Sequence, residues 1–378
     1  MQAQSVLLLG GTGQVGLKAA EYLLEHTQAA LTFASRRKAS LPSAILQHQD
    51  RINTVQLDVQ NTNDLKAQLK NTDLVVACVG PSGVIGDQIV LTCKELGVPI
   101  IDAGGYDPVY ASLHEHEKQY SSEVPLIINV GLLPGLSGVF PAYLIQQCSR
   151  GADIKSLEVQ YVGRDAWSYN SAWDIINGLG DFGHERGFCY LENQQVKREK
   201  FSKAATKAHF PAPIGTASTM LIYAEEIVQL ANEHDIQTAK VYGANLGPRA
   251  MFVCMIAKIF KMYKNHKTIA RAARWLCKAS AKDMRKLDPI YAVDAQIKCA
   301  DNRVHHGQII LEDTYQATGF IIGIAAKQLL NNQITKTGPM MLHEAVDANN
   351  FIKDLEQAGV VAGLILSKSD NNTKQEAA

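Results

Sequence analysis

The chain has 378 residues, which is too long for one core of ordinary domain size and suits two domains. Its 37 Lys and Arg residues balance its 37 Asp and Glu residues, and 46% of all residues are hydrophobic. This composition excludes an intrinsically disordered chain and argues against a polyanion-binding protein, so no nucleic-acid partner is expected.

The first third of the sequence alternates short apolar runs with segments of helical periodicity. Strands are predicted at residues 5–10, 30–35, 54–59, 74–80, 98–104 and 125–131. Helices are predicted between them at residues 16–26, 63–70, 86–96 and 112–121. Near-continuous apolar strands that alternate with helices are typical of a doubly wound parallel sheet with helices on both faces.

The first turn of this region carries a glycine motif. Gly11-Thr12-Gly13-Gln14-Val15-Gly16 fits G-x-G-x-x-G and directly follows the first predicted strand. In a dinucleotide site the first glycine allows a tight turn, the second lets the backbone approach the pyrophosphate, and the third lets the helix pack on the strand. The alternative is a plain turn. The strand-turn-helix context favours a Rossmann dinucleotide-binding domain over residues 1–130.

The end of the second predicted strand indicates which dinucleotide is bound. NAD enzymes place a carboxylate there to hold the ribose 2′-hydroxyl, whereas an Arg nearby accommodates the 2′-phosphate of NADP. This chain has Ser35-Arg36-Arg37, and a hydroxyl with two guanidiniums can neutralise and bind a phosphate. NADP is therefore the predicted cofactor, and a solvated basic turn is the alternative.

Ligands of open α/β sheets lie beyond the carboxyl ends of the strands, so residues there are further candidates. Asp58 and Val59 are expected near the adenine, and Cys78-Val79-Gly80-Pro81 near the nicotinamide ribose. We interpret Cys78 as a small strand-end residue rather than a nucleophile, because no sequence neighbour would lower its pKa. Asp102 and Tyr106 are candidate proton relays on the nicotinamide side, with a structural role as the alternative.

After Gly131 the pattern changes. The strand candidates at residues 156–163, 239–246 and 291–301 alternate polar and apolar residues, as in an antiparallel sheet with one exposed face. They predict an α+β substrate and dimerisation domain over residues 131–314, and a homodimer is expected. Its first loop offers candidate ligands for a small-molecule substrate, unless the loop is a surface turn: Asp165, Trp167, Tyr169 and Asn170.

A basic run spans residues 258–286. It holds ten Lys or Arg residues against one acid, Asp283, and apolar side chains are interleaved with the charges. A solvated helix face is one interpretation. Docking on an anionic membrane surface or on an acidic carrier protein is the other.

The remaining candidates for chemistry are cysteines and histidines. The seven cysteines are odd in number and contain no C-x-x-C pair, and His305-His306 lacks the spacing of a metal-binding helix. Neither a disulfide framework nor a metal site is predicted. No basic stretch precedes the first apolar run, and no uncharged apolar stretch reaches the ~18 residues that span a bilayer, so a cytoplasmic protein is expected.

Several segments resemble the saccharopine dehydrogenase family of NADP-binding oxidoreductases. They are GGTGQVG (10–16), ASRR (34–37), CVGPSG (78–83), IDAGG (101–105), NVGLLPGLSG (129–138) and the stretch 315–359. The resemblance implies that the C-terminal segment, residues 315–366, returns to the Rossmann domain. The α+β domain would then be an insertion, followed by a flexible tail at 367–378.

The resemblance also implies an activity. Family members transfer hydride between NADP(H) and a C=N bond, and relatives include enoyl reductases that act on an activated C=C bond. We expect such a reaction in the interdomain cleft. Leu133 stands where the lysine-pathway reductases carry an acidic residue, which weakens the case for an amino-acid substrate. The alternative is an NADPH-binding sensor or scaffold without catalysis, associated with a membrane through the basic run.

Overall fold

The structure is a computed structural model that describes residues 4–38, 40–104, 107–148, 153–180 and 187–370. The chain divides into two compact units. The first unit comprises Met1–Leu136 and Tyr315–Val360. The second comprises Ser137–Thr314, which is inserted between the two parts of the first, and the residues from Val361 onward.

The amino-terminal part of the first unit alternates strands and helices as the sequence predicts. Its strands are β1 (Ser5–Leu9), β2 (Ala30–Ser35), β3 (Ile52–Gln56), β4 (Leu74–Ala77), β5 (Ile100–Asp102) and β6 (Pro125–Ile128). Its helices are α1 (Gln14–His26), α2 (Ser43–Leu46), α3 (Thr62–Leu69), α4 (Ser82–Ile85), α5 (Gln88–Leu96) and α6 (Asp107–Gln119).

These six strands form a parallel sheet in the order β6-β5-β4-β1-β2-β3. The central strands are buried along their length, which explains their near-continuous apolar sequences. The strand order reverses between β1 and β4. In open α/β sheets this switch point, at the carboxyl ends of the strands, is where ligands bind.

The second unit combines a large sheet with a helical layer. Its strands are β7 (Ile154–Arg164), β8 (Cys189–Glu192), β9 (Gln195–Arg198), β10 (Ala205–His209), β11 (Thr216–Ile222), β12 (Thr238–Asn245), β13 (Ile290–Cys299) and β14 (Arg303–Leu311). Its helices are α7 (Ser137–Gln147), α8 (Tyr169–Gly178), α9 (Glu225–Glu233), α10 (Pro248–Ile259) and α11 (His266–Asp283). Helices α8, α10 and α11 share a buried apolar cluster.

The prediction of an antiparallel sheet in this unit is wrong for one pair of strands. The strands follow the order β10-β11-β12-β7-β13-β14, and β12 pairs with β7 in parallel. A parallel pair needs a long crossover connection. The chain supplies one between β7 and β12, where it forms α8, further strands and α9, so the sheet is mixed.

The C-terminal part begins with α12 (Thr314–Leu330), followed by β15 (Gly338–Met341), α13 (Leu342–Ala345), α14 (Ala348–Gln357) and β16 (Val361–Asp370). Strand β15 pairs in parallel with β6 and is the seventh strand of the first sheet, which the sequence analysis did not predict. Helix α12 packs closely on α1. A Cβ atom at Gly319 would lie 2.4 Å from the Lys18 Cβ, so only glycine permits this approach.

Strand β16 corrects two predicted boundaries. Residues 361–366 were assigned to the segment that returns to the Rossmann domain, and 367–378 to a flexible tail. Instead, β16 pairs antiparallel with β14 and continues to Asp370. This pairing satisfies backbone groups along β14 that an edge strand would leave open. Within the described ranges, no helix combines the length and apolarity needed to cross a membrane.

Candidate functional site

The glycine-rich turn lies at the switch point of the first sheet. Gly10 has a φ of +72°, its N–H donates to the Ala34 carbonyl at 3.1 Å, and its carbonyl accepts from the Gly13 N–H at 2.9 Å. A Cβ atom at Gly10 would lie 2.6 Å from the Cys78 carbonyl oxygen. The sequence analysis assigned the tight turn to Gly11. In the structure the turn is made at Gly10, because Gly10 has a left-handed backbone and lies against the loop after β4.

The three motif glycines have different surroundings. A Cβ atom at Gly11 would lie 2.9 Å from the Phe33 ring, and one at Gly16 would lie 2.5 Å from the Gly10 carbonyl oxygen. Gly13 is exposed at the N-cap of α1, where a Cβ atom would be 3.3 Å from its nearest neighbour. Gly11 and Gly16 are thus required for packing, whereas Gly13 leaves the amide end of the helix open.

The amide end of α1 suits an anion. Thr12, Gln14 and Val15 lie at or next to this end, and Gly13 supplies no side-chain cap. The first N–H groups of a helix have no acceptor within the helix, and they carry the positive end of the helix dipole. A diphosphate fits this arrangement through backbone hydrogen bonds.

Two alanine substitutions separate packing from binding. Gly16→Ala should lower the free energy of unfolding by about 1–3 kcal/mol, because its Cβ would overlap backbone atoms that cannot rotate away. Gly13→Ala should leave stability within about 1 kcal/mol and still weaken NADPH binding, because the methyl group lies in front of the open amides. Urea unfolding and calorimetric titration with NADPH measure the two effects. Unchanged NADPH affinity in Gly13→Ala would argue against a pyrophosphate at this turn.

The basic loop follows β2, next to the glycine-rich turn. The Ser35 hydroxyl donates to the Arg37 carbonyl at 2.6 Å, and the Gln56 side-chain amide donates to the Arg36 carbonyl at 3.0 Å. These bonds hold the loop backbone, while both guanidiniums are exposed. Neither has an ion-pair partner among residues the structure describes. The loop therefore suits a phosphate bound from solvent.

The loops after β3 and β4 line the same edge of the sheet. Asp58 is exposed and accepts the Gln60 N–H at 3.1 Å, and the Val59 carbonyl accepts from the Gln88 side chain at 3.2 Å. Cys78 is partly buried, followed by Val79 and Gly80, and Pro81 is the N-cap of α4. Burial and the nearby charge of Asp102 raise the pKa of the Cys78 thiol to about 12. The thiol therefore stays protonated at neutral pH, which argues against a nucleophile.

Asp102 ends β5 at this edge, beside β4. It is buried, lies opposite Ala77 of β4, and accepts the Gly104 N–H at 2.8 Å. Burial raises the pKa of its carboxyl to about 6, although the Gly104 hydrogen bond favours the charged form. A carboxyl with this pKa can hold and release a proton near neutral pH. Tyr106, the other predicted relay, lies outside the described residues.

Asn129 is a candidate that the sequence analysis missed. It follows β6 with a φ of +60°, is 1% exposed, and its N–H donates to the Gly104 carbonyl at 2.8 Å. Within the described chain, neither its amide nitrogen nor its amide oxygen has a hydrogen-bond partner. An unpaired buried amide is costly, which indicates a ligand partner. The only signal in the sequence is a polar residue directly after an apolar strand.

The four predicted substrate ligands of the second unit differ in their exposure to solvent. Asp165 is buried and accepts hydrogen bonds from the Thr314 hydroxyl and the Ala166 N–H. Trp167 is partly buried, and Tyr169 and Asn170 are exposed at the start of α8. The hydrogen bond from Thr314 attaches this loop to the first residue of α12. Substrate binding by these residues stays a prediction.

The carboxyl edge of the first sheet has features that fit a dinucleotide with an additional 2′-phosphate. They are a turn that only glycine can form, open amides at a helix end, exposed guanidiniums beside them, and an unpaired buried carboxamide. Together with the parallel strand order, they define a dinucleotide-binding Rossmann domain.

Comparison with known proteins identifies this domain further. Residues 6–125 match the family model described as the saccharopine dehydrogenase NADP binding domain. The first unit thus contains a domain similar to the NADP-binding domain of saccharopine dehydrogenases, and NADP is the cofactor that this domain binds. No curated protein matches the sequence.

The fold likeness extends over both units. The chain resembles apo histidine-tagged saccharopine dehydrogenase (L-Glu forming) from Saccharomyces cerevisiae, with a TM-score of 0.65 and 15% identity over 97% of this chain and 100% of that chain. It also resembles a putative myo-inositol dehydrogenase from Sinorhizobium meliloti 1021, with a TM-score of 0.42 and 11% identity over 95% of each chain. The second likeness is too weak to support an argument.

Proposed function

We propose that the protein is an NADPH-dependent reductase that transfers hydride to, or in reverse from, a C=N bond or an activated C=C bond. Asp102 carries this proposal, because a carboxyl with a pKa of about 6 is buried at the edge of the sheet where the cofactor belongs. Bound NADPH supplies the hydride. Reduction of either bond also requires a proton, and Asp102 can donate it.

Other residues of this edge would orient the reactants. Arg36 and Arg37 hold the 2′-phosphate, the amides at the start of α1 hold the pyrophosphate, and the Asn129 carboxamide binds a polar group of the cofactor or substrate. These roles need no movement of charge during the reaction. They fix the geometry in which Asp102 can act.

Leu133 supports an apolar substrate. It is 47% exposed in the loop that follows β6 and Asn129. An exposed leucine at this place offers no counter-charge to an ammonium group, and it can contact a hydrocarbon chain. We therefore favour an enoyl or other lipid-like substrate over an amino acid.

The reaction can be tested with isotopically labelled cofactor. NADPH deuterated at C4 of the nicotinamide would be incubated with amine and oxo-acid pairs and with enoyl thioesters, and the products analysed for deuterium by mass spectrometry. The proposal expects deuterium in the product of one class, and an enoyl product would support the apolar substrate. NADPH binding without transfer to any substrate would overturn it and favour the sensor or scaffold.

The basic run forms an exposed surface with an apolar part, which we name the α10–α11 surface. Phe252, Met255 and Ile259 lie on one face of α10, next to Phe260, and all four are exposed. Trp275 of α11 shares a groove with Phe252. The surface combines these apolar side chains with nine exposed cations: Lys261, Lys264, Lys267, Arg271, Arg274, Lys278, Lys282, Arg285 and Lys286.

The charges of these cations are not balanced by the acid within the run. Asp283, the one acid of the run, is buried and accepts hydrogen bonds from Arg249 and from the first N–H groups of α10. Among the residues that the structure describes, none of the nine is in an ion pair. We infer that the surface docks on an anionic membrane, since lipid headgroups would meet the cations and the acyl boundary would take the apolar side chains.

Vesicle binding tests this inference. The protein should co-sediment with vesicles that contain phosphatidylserine but not with pure phosphatidylcholine, and high salt should weaken binding. The variant Ile259→Ser with Phe260→Ser should lose at least about tenfold in binding, because each side chain contributes roughly 1.5–3 kcal/mol when buried. Phe201→Ser is the matched control, because Phe201 and Phe260 are both 73% exposed. Binding to an acidic carrier protein without binding to anionic vesicles would overturn the inference.

The homodimer and the cytoplasmic location expected from the sequence stay predictions. The first depends on a second copy of the chain and the second on the cell compartment, and the contacts within one chain test neither. Sedimentation velocity of the purified protein would test the dimer.

A further inference from the structure

Three buried side chains of the second unit bring metal-ligand atoms together. Cys148 follows the last residue of α7, Cys299 ends β13, and His305 lies in β14. All three are buried, and their two sulfur atoms and one imidazole nitrogen lie within 4.8 Å of one another. None of them belongs to the nucleotide loops or to the α10–α11 surface, so they form a separate cluster.

The sheet register explains how distant residues meet. Ile297 lies directly opposite His305 in the β13–β14 pair, so both side chains point to the same face. Cys299 is two residues beyond Ile297 and shares that face, although a register shift lies just before it.

Helix α7 supplies the third side chain. Leu144 packs against β14, where a Cβ atom at Gly307 would lie 2.8 Å from a Leu144 methyl carbon. Cys148 is one helical turn further along, and its thiol donates to the Leu144 carbonyl at 3.3 Å. The end of α7 therefore covers the face of the hairpin that carries Cys299 and His305.

The chemistry of the three groups favours a thiophilic cation. Two thiolates and an imidazole are a ligand set that Zn²⁺ accepts. With Zn–S bonds of about 2.3 Å, ligand atoms in a tetrahedral site are about 3.8 Å apart, so the cluster would need to contract by roughly 1 Å at most.

We propose that Cys148, Cys299 and His305 form a binding site for a thiophilic metal ion, with Zn²⁺ as its expected occupant. The site would join the end of α7 to the β13–β14 hairpin and stabilise the second unit. It reverses the expectation from cysteine spacing that no metal is bound. The ligands come from three segments, so no short sequence motif contains them.

Cobalt is a suitable probe, because Co²⁺ replaces Zn²⁺ and reports thiolate ligands by absorption. The full-length protein, reduced and freed of metal, would be titrated with Co²⁺ alone. We expect a thiolate-to-cobalt charge-transfer band that saturates at one ion per chain and is displaced by Zn²⁺. A parallel titration with Cu⁺ would distinguish the two thiophilic ions, and tighter binding of Cu⁺ with no Co²⁺ band would overturn zinc as the occupant.

Variants identify the ligands. Cys148→Ser and Cys299→Ser should each weaken Co²⁺ binding by more than about 100-fold, since loss of an outer-shell partner alone typically costs 10–100-fold. Cys254→Ser is the matched control, because Cys254 is a buried thiol on α10 outside the cluster. It should leave the band unchanged.

Three outcomes would overturn the proposal. One is the absence of any charge-transfer band in the reduced wild-type protein, a result that does not depend on whether a variant folds. Another is a band that persists when both Cys148 and Cys299 are serine. The third is a Cys148–Cys299 disulfide in protein purified without added oxidant, detected by mass spectrometry, because the thiols would then be a redox pair.

Discussion

Replacing both Arg36 and Arg37 by Ala is expected to weaken NADPH binding by at least about 100-fold and to leave NADH binding nearly unchanged. Each hydrogen bond to a charged group contributes about 1.5–3 kcal/mol, and 100-fold corresponds to about 2.7 kcal/mol. The guanidiniums are exposed, and hydrogen bonds to the loop carbonyls hold the backbone beneath them. Their removal should therefore cost binding without disturbing the fold.

Calorimetric titration of each variant with NADPH and NADH measures this difference. Lys70→Ala is a suitable control, because it removes an exposed cation that precedes β4, at the opposite end of the sheet from the nucleotide loops. The loss of NADPH affinity should shrink at high salt, since mobile ions screen exposed charges. Equal losses for the two nucleotides would place the recognition of the 2′-phosphate elsewhere.

Replacing Asp102 by Asn is expected to stabilise the protein and to slow its reaction. The pKa of the carboxyl is raised to about 6, so the folded state keeps a proton that the unfolded chain loses near pH 4. Stability from this group is therefore present below about pH 4 and is lost as the pH rises to about 6. The shift of about two units corresponds to up to about 3 kcal/mol at neutral pH, which the uncharged Asn would restore.

Urea unfolding at pH 4 and pH 8 separates this effect from the titration of other carboxyls. The stability gain of Asp102→Asn over the wild type should be large at pH 8 and small at pH 4. Asp58→Asn is the control, because Asp58 is exposed and should show no comparable gain. A variant less stable than the wild type at pH 8 would contradict the raised pKa.

The same substitution tests the role of Asp102 in the reaction. Loss of a general acid typically costs 10²–10⁴-fold in rate, and the carboxamide of the Asp102→Asn variant cannot donate a proton in its place. NADPH binding should change little, because the Gly104 N–H can still bond to the amide oxygen. An unchanged rate of substrate reduction would show that Asp102 has only a structural role.

Local sequence patterns accounted for much of the first unit. The six apolar runs predicted β1 to β6, and the central strands are apolar because both of their faces are buried. The edge strand β3 is exposed or half-buried, and it begins two residues before the predicted run at 54–59. The glycine motif and the paired arginines indicated a dinucleotide and its phosphate. Both signals are short and contiguous, so they can be recognised without knowing which segments meet.

Long-range pairing was harder to predict. Strand β15 has only four residues and begins with Gly-Pro, so its sequence resembles a turn until β6 provides a parallel partner. The direction of β12 relative to β7 likewise depends on the path of the intervening chain. For β16, the sequence showed an apolar run that could be a strand. Which of the two sheets this strand joins depends on where an edge strand lacks a partner, and here that strand is β14.

The sequence alone therefore determined that the chain has a nucleotide-binding parallel sheet with a second domain, since periodicity and the glycine and arginine positions are local properties. Only the tertiary structure showed that Gly10 makes the turn, that Asn129 is buried without a partner among the described residues, and that Cys148, Cys299 and His305 meet. Each of these depends on atoms from segments far apart in the chain. Burial and close contact arise when such segments pack together, so no single stretch of sequence records them.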